Sequence, residues 1–143
     1  MQRTASAIWT GSLKDGNGTV STESGVLSRA PYSFVTRFEN GKGTNPEELI
    51  AAAHAGCFAM ALSAQLSTMN FTPQSIRATA AVTLEKLEAG WTISKVHLDV
   101  AARIRGISPA AFEAAAASAK ANCPVSRLLR AEITMNASLE QAA

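Results

Sequence analysis

Alternation of apolar and polar residues is the most frequent pattern in this chain, and it predicts β-strands. The two longest alternating segments are separated by Glu88, Ala89 and Gly90, which is typical of a β-hairpin. In the segment that ends at Phe38, alternation places Arg37 on the face opposite the aromatic side chains. The predicted strands are Ala5 to Thr10, Thr19 to Thr22, Tyr32 to Phe38, Thr79 to Leu87, Trp91 to Val100 and Glu132 to Leu139.

One long apolar segment departs from this alternation and predicts a helix from Pro46 to about Met69. Asn45 is a good N-cap, proline suits the first helical position, and two glutamates follow in the first turn. Most of this helix is apolar all round, so most of its surface must be covered, and a partner chain could supply part of the cover. Its many alanines and its polar residues favour a buried helix over a membrane span.

Two shorter helices are predicted near the carboxyl end. Ser108 and Pro109 begin an Ala-rich helix that reaches about Ala121. Pro124 begins another, which ends near Arg130.

Length and composition narrow the possible classes of protein. The 143 residues fit one domain, 1–143, and 47% hydrophobic with 17% charged residues is ordinary for a globular protein. The net charge of +2 comes from scattered basic residues, which makes nucleic acid a poor partner. No signal-peptide pattern occurs at the amino terminus, so we expect a cytoplasmic protein with no membrane partner, and two cysteines there are expected to be thiols.

These two cysteines are the main candidates for chemistry. Cys57 lies within the long apolar helix, where a small buried core residue is the alternative role. Cys123 lies just before Pro124 at a helix start, where unpaired N–H groups favour a thiolate. A peroxidase needs one thiolate to attack the O–O bond and a second thiol to trap the sulfenic acid. Their separation of 66 residues does not establish proximity, and a structural disulfide remains an alternative.

A buried helical thiol needs a positive neighbour to ionise at neutral pH. Arg37 is the best local candidate and Glu47 could orient it, although a solvated strand arginine and a simple helix-dipole carboxylate are the plainer interpretations. Glu47 precedes Cys57 by ten residues, roughly 15 Å along a helix, so direct contact is excluded and a second chain is the expected source of the pair. His54 is expected to be a hydrogen-bonded core residue, and the sequence offers little support for a metal site.

Four segments together resemble the OsmC/Ohr family of thiol peroxidases, and its OsmC branch more than its organic hydroperoxide resistance branch. The resemblance covers nearly the whole chain. The segments are Gly18 to Leu27, Arg37-Phe38 with Gly43 to Leu49, Ala52 to Cys57, and Cys123 to Ser126.

The resemblance implies an α+β fold in which a long central helix is covered by antiparallel sheets, and an intertwined homodimer. It implies a peroxidatic Cys57, a resolving Cys123, and Arg37 and Glu47 as supporting residues at the dimer interface. The implied substrate is an organic hydroperoxide, with hydrogen peroxide reduced less well, no cofactor is required, and the reductant is a dithiol or a lipoylated protein.

Two other functions remain possible from the residues. A redox-sensing or binding protein would use the same cysteines only to record oxidation, but the sequence has no recognisable output module. An exported protein would use them as a structural disulfide, but no signal peptide is recognisable. An apolar pocket near Phe58, Met60 and the partner chain is expected to favour organic over inorganic peroxides.

Overall fold

A computed structural model describes residues 1–141, and the final two alanines lie outside the described residues. The chain divides into two compact units, Met1–Leu49 and Ile50–Ala143. The single domain predicted for 1–143 stays a prediction.

The first unit contains a small antiparallel sheet with the strand order β1-β2-β3. The predicted strands at its beginning are confirmed, and a third, shorter strand pairs with the second. Gly18 is needed in the second strand because a Cβ atom there would lie 2.5 Å from Tyr32 Cε1 and 2.7 Å from Trp9 Cε3. The strands are β1 (Ala5–Thr10), β2 (Asn17–Thr22) and β3 (Ala30–Tyr32).

The strand predicted for Tyr32 to Phe38 is wrong beyond Tyr32. A short helix, α1 (Phe34–Phe38), forms there instead, after its N-cap Ser33. Ser33 caps this helix: its hydroxyl accepts from the Thr36 N–H, and the Thr36 hydroxyl accepts from the Ser33 N–H. The helical turn stacks Phe34 and Phe38, whose ring centroids are 4.9 Å apart, and places Arg37 over the Phe38 ring. Arg37 therefore lies beside the aromatics and not on the opposite face.

The second sheet has the strand order β4-β5-β6 and confirms the predicted hairpin and final strand. The expectation of purely antiparallel sheets is wrong here, because β6 runs parallel to β5. The chain between these strands forms two helices, a crossover that lets β6 enter from the same end as β5. These elements are β4 (Ser75–Leu87), β5 (Gly90–Arg103), α3 (Pro109–Asn122), α4 (Pro124–Leu128) and β6 (Glu132–Glu140).

The long predicted helix is confirmed as α2 (Pro46–Thr68), and Asn70, with a φ of 62°, follows its end in the left-handed conformation. Among the described helices, it is the one whose length and composition would suit a membrane span. Four side chains spaced by four residues form its buried stripe, which packs with α3 and the inner face of the second sheet into the hydrophobic core. The stripe consists of His54, Phe58, Leu62 and Leu66.

A second face of α2 is left uncovered by the second unit. Gly56 has open space around its Cα, and Met60 is 77% exposed. Ala53 and Ala64 extend this face along the helix. The second unit by itself thus covers this helix less completely than its apolar composition demands.

Candidate active site

The second unit brings its two cysteines into contact. Cys57 comes from the middle of α2 and Cys123 from the residue between α3 and α4, and their sulfurs lie 2.9 Å apart as free thiols that share a hydrogen bond. To form a disulfide, the two sulfurs would have to move about 0.9 Å closer to each other. Cys57 is partly exposed and Cys123 is fully buried, so a reagent from solvent reaches Cys57 first.

The surroundings act differently on the two thiols. Burial raises the pKa of Cys57, and its hydrogen bond with Cys123 raises that pKa further, against a smaller lowering by the Val125 N–H. Burial also raises the pKa of Cys123, but Cys57, the N–H and hydroxyl of Ser126, and the Val125 N–H together outweigh it and lower that pKa. Two thiols this close cannot both ionise, and within this unit the charge is better accommodated on Cys123.

Arg37 and Glu47, near the carboxyl end of the first unit, form a bidentate ion pair. Arg37 Nη2 donates to Glu47 Oε1 at 2.8 Å, and Arg37 Nε donates to both carboxylate oxygens at 3.2 Å. The arginine side chain is 36% exposed and the glutamate side chain is 11% exposed. Glu47 therefore holds the guanidinium in one orientation while leaving part of it accessible.

An aromatic pocket of about 250 Å³ lies beside Arg37. Two ring pairs form much of its wall, with centroid separations of 5.4 Å for Trp9 and Tyr32 and 4.9 Å for Phe34 and Phe38. The remaining lining residues are Leu13 and Ser33. A pocket with an apolar wall and a single cationic group suits a small molecule with an organic part and one polar end.

A further polar contact links α2 to α4 near the cysteines. His54 Nε2 and Ser126 Oγ are 2.7 Å apart, and both residues are buried. Burial lowers the pKa of His54, so its imidazole is neutral at physiological pH. His54 is thus the hydrogen-bonded core residue expected from the sequence. Its partner Ser126 also acts on Cys123.

Comparison with known proteins bears on this arrangement. Residues 39–138 match the family described as OsmC-like protein. The chain is 54% identical over 134 residues to peroxiredoxin OsmC of Escherichia coli K12, and the aligned region covers 94% of each protein. The chain belongs to the OsmC-like protein family.

Solved structures agree with this assignment. An organic hydroperoxide resistance protein OsmC from Legionella pneumophila is 27% identical with a TM-score of 0.67, over 96% of both chains. The organic hydroperoxide resistance protein OhrB of Bacillus subtilis has a TM-score of 0.67 at 23% identity, over 96% of this chain and 98% of that chain, and supports the fold alone. The predicted α+β class is confirmed. Glu47, Cys57 and Cys123 fall within the matched family region, and Arg37 lies two residues before it.

The predicted pocket near Phe58, Met60 and the partner chain stays a prediction for the OsmC-like site. In the described chain Phe58 is fully buried in the core, whereas Met60 is exposed on another face of α2. Residues 58 and 60 are two positions apart, so their side chains leave the helix roughly 200° apart. The described pocket at Arg37 has an entirely different lining.

Ser126 is not among the site residues predicted from the sequence of this OsmC-like chain. The sequence does contain a pattern that could have indicated this role. His54 and Cys57 are three residues apart on α2, and Cys123 and Ser126 are three residues apart at the start of α4. Two polar pairs with matched spacing predict two adjacent contacts between the helices. In residues 1–141, no group of three or more His, Cys, Asp or Glu side chains could hold a metal ion.

Proposed function

We propose that this chain is a thiol-dependent peroxidase that reduces organic hydroperoxides to alcohols. The Cys57 thiolate attacks the O–O bond, an S–O bond forms as the O–O bond breaks, and the alkoxide leaves as an alcohol after taking one proton. Cys123 then attacks the Cys57 sulfenic acid, which forms a disulfide and releases water. An external dithiol reduces the disulfide and completes the cycle.

The observation that carries this proposal is the 2.9 Å contact between the two sulfurs, together with their unequal exposure. Cys57 is the thiol that a peroxide reaches, and Cys123 is buried in contact with it. A sulfenic acid on Cys57 would therefore meet its resolving thiol before a second peroxide could over-oxidise it.

We propose that Arg37 supplies the positive charge that Cys57 lacks within its own unit. The guanidinium would stabilise the thiolate and then the negative charge that develops on the peroxide oxygens. Glu47 would act as a positioning residue, because its Oε1 accepts from both Nε and Nη2 of Arg37 while its Oε2 accepts from Nε.

A homodimer is part of the proposal. The uncovered face of α2 is apolar, as Met60 and the small residues Gly56 and Ala64 indicate, and a second copy of this chain would cover it. A C2 dimer with paired α2 helices would let Arg37 and Glu47 of one subunit serve Cys57 of the other.

The aromatic pocket beside Arg37 supports a preference for organic peroxides over hydrogen peroxide. An alkyl or aryl group would bury apolar surface against Phe34, Phe38 and the Trp9–Tyr32 pair, with the peroxide group at the guanidinium. Hydrogen peroxide would gain only the polar contact. The reductant is an external dithiol or a lipoylated protein, no cofactor is needed, and a reducing compartment such as the cytoplasm suits both thiols.

Stopped-flow measurement of cumene hydroperoxide consumption with dithiothreitol tests the proposal. Cys57→Ser is expected to lose turnover by about 10³-fold or more, because the nucleophile is gone. Cys123→Ser is expected to complete its first reduction at the wild-type rate and then to accumulate sulfinic acid, which mass spectrometry detects on Cys57.

Three results would contradict the proposal. Unchanged turnover in Cys57→Ser would exclude the enzyme, and a first reduction lost in Cys123→Ser but kept in Cys57→Ser would reverse the two roles. A disulfide that forms once and is not recycled by any dithiol would indicate a redox sensor.

A further inference from the structure

The His54–Ser126 contact lies directly beside the thiol contact. His54 and Cys57 are three residues apart on α2, and Ser126 and Cys123 are the third residue and the N-cap of α4. His54 is fully buried and Ser126 is 7% exposed, so neither has solvent as a hydrogen-bonding partner. The three buried side chains His54, Ser126 and Cys123 and the partly exposed Cys57 therefore form one polar group between the two helices.

The proton on His54 can be assigned from its partners. Nε2 lies 2.7 Å from Ser126 Oγ, whereas Nδ1 is buried and has no hydrogen-bond partner in the described part of the chain. A proton on Nδ1 would leave a buried N–H donor without an acceptor, and such donors are rare. The neutral imidazole therefore carries its proton on Nε2 and donates it to Ser126 Oγ.

This assignment fixes the direction of the Ser126 hydroxyl. Its oxygen already accepts from His54, so its hydrogen is available to a second acceptor. Cys123 is the N-cap of α4 and Ser126 is its third residue, so both side chains belong to the first turn of this helix. The Ser126 hydroxyl is also one of the groups that lower the Cys123 pKa against burial.

We propose that His54 and Ser126 are a positioning pair for the resolving step: His54 Nε2–H orients the Ser126 hydroxyl, which donates to Cys123 and favours its thiolate. This inference rests on the proposed function. The groups that act on Cys123 are Cys57 from α2, and Ser126 and the backbone of Val125 from α4. The hydroxyl is the only side-chain donor among them other than Cys57, and Cys57 ceases to be a thiol once it is oxidised.

The step balances without another reactant. The Cys123 thiolate attacks the sulfenic sulfur of Cys57, the S–S bond forms, and the S–O bond breaks. Cys123 is oxidised and the Cys57 sulfur is reduced. The hydroxide that leaves takes up one proton, equal to the one Cys123 lost on ionisation, and departs as water. The Ser126 hydroxyl donates a hydrogen bond throughout and is not consumed.

Nuclear magnetic resonance of the reduced wild-type protein tests the proton assignment without any variant. The ¹⁵N shifts of the His54 ring are expected to indicate a neutral imidazole with the proton on Nε2. A proton on Nδ1, or an imidazolium at neutral pH, would overturn the proposal.

Variants test the effect on Cys123. Ser126→Ala and His54→Leu remove the donors, and His54→Gln retains a side-chain N–H in a similar place. We expect Ser126→Ala and His54→Leu to raise the Cys123 pKa, read from its ¹³Cβ shift in a pH titration. Both should slow disulfide formation about five- to tenfold at neutral pH after one equivalent of cumene hydroperoxide, the effect of one hydrogen bond. His54→Gln should lie closer to wild type.

The first oxidation is the internal control. Formation of the Cys57 sulfenic acid, trapped with dimedone after rapid mixing, is expected at no less than the wild-type rate in all three variants. If Ser126→Ala leaves the Cys123 titration and the disulfide rate unchanged, the proposal is wrong. If it slows both oxidation steps equally, the pair is structural and the proposal is also wrong. Neither readout requires multiple turnover, so failure of the peroxidase proposal is seen separately, in Cys57→Ser.

Discussion

The two polar pairs of this chain differ in what surrounds them. Cys57 and Cys123 meet at a core of apolar side chains, and the groups that act on them are uncharged donors from α4. Arg37 and Glu47 form a charged, bidentate pair at the surface of the first unit, next to an aromatic pocket. The first pair has nucleophiles without a cation, and the second has a cation without a nucleophile.

This difference indicates a division of labour. A dry site favours disulfide chemistry, because it excludes water and competing oxidants from the resolving thiol. It also raises the pKa of Cys57, the thiol that must attack first. A partly exposed guanidinium is suited to anions and to peroxide oxygens that gain charge. Neither pair by itself has the parts of a peroxidase, which makes their cooperation the feature to test.

Among the tests of cooperation between the two pairs, removal of the cation is expected to have the largest effect. Arg37→Met should lower the second-order rate with cumene hydroperoxide about 10²- to 10³-fold, as loss of one donor to developing charge does in other enzymes. Diamide needs no guanidinium, and its oxidation of the two thiols to a disulfide should change by less than about twofold. Arg3→Met, at an exposed arginine, is the matched control. Equal loss with both oxidants would mean that Arg37 maintains the fold.

The next largest expected effect is the recovery of activity in a mixed dimer of two inactive variants. A dimer of one Cys57→Ser and one Arg37→Met subunit, purified through two different tags, should recover about half of the wild-type activity, because one of its two symmetric sites is complete. Each parent homodimer should be nearly inactive. No recovery in the mixed dimer would place Arg37 and Cys57 of a working site on the same subunit and exclude the cross-subunit arrangement.

The pocket wall should have a smaller effect that depends on the substrate. Phe34→Ala is expected to reduce the preference for cumene hydroperoxide over hydrogen peroxide by about tenfold, the usual effect of lost apolar contact in a binding pocket. Val35→Ala is the matched control, because Val35 lies on the same short helix and is 42% exposed outside the pocket lining. The ratio of the two second-order rates is the measurement. An unchanged ratio in Phe34→Ala would remove the pocket from substrate selection.

The smallest expected effect concerns stability in acid. Burial lowers the pKa of His54 from 6.5, so the unfolded chain binds a proton at pH values where the folded chain does not. The free energy of unfolding should therefore fall as pH drops from 6.5 towards the folded pKa, by at most about 1.4 kcal/mol per pH unit from this group. Above pH 6.5 the imidazole is mostly neutral in both the folded and the unfolded chain, so its protonation no longer lowers the free energy of unfolding.

Urea unfolding of the reduced protein at a series of pH values measures this slope. His54→Gln should lack the contribution of His54, while His97→Gln, at the half-buried second histidine, should retain it. Identical slopes in wild type and His54→Gln would show that the buried imidazole does not couple protonation to folding.

Local patterns predicted most elements, as α2 and the β4–β5 hairpin illustrate. Asn45, Pro46 and the acids after them are a strong helix start, and long alternation leaves few alternatives to a strand. The same reasoning failed from Phe34 to Phe38, where aromatic residues suggested a strand. A reciprocal cap between Ser33 and Thr36 determines that segment, and threonine at the third helical position is not the usual partner in such a cap.

The sequence by itself determined the residue types of the site and the positions of Cys57 on a helix and Cys123 at a helix start. Tertiary structure alone decided that the two sulfurs lie 2.9 Å apart, that Glu47 binds Arg37 through two oxygens, and that His54 Nε2 lies 2.7 Å from Ser126 Oγ. The physical reason is the range of the interactions. Capping and periodicity act over a few residues, whereas a thiol contact across 66 positions depends on how α2 and α4 pack within one core.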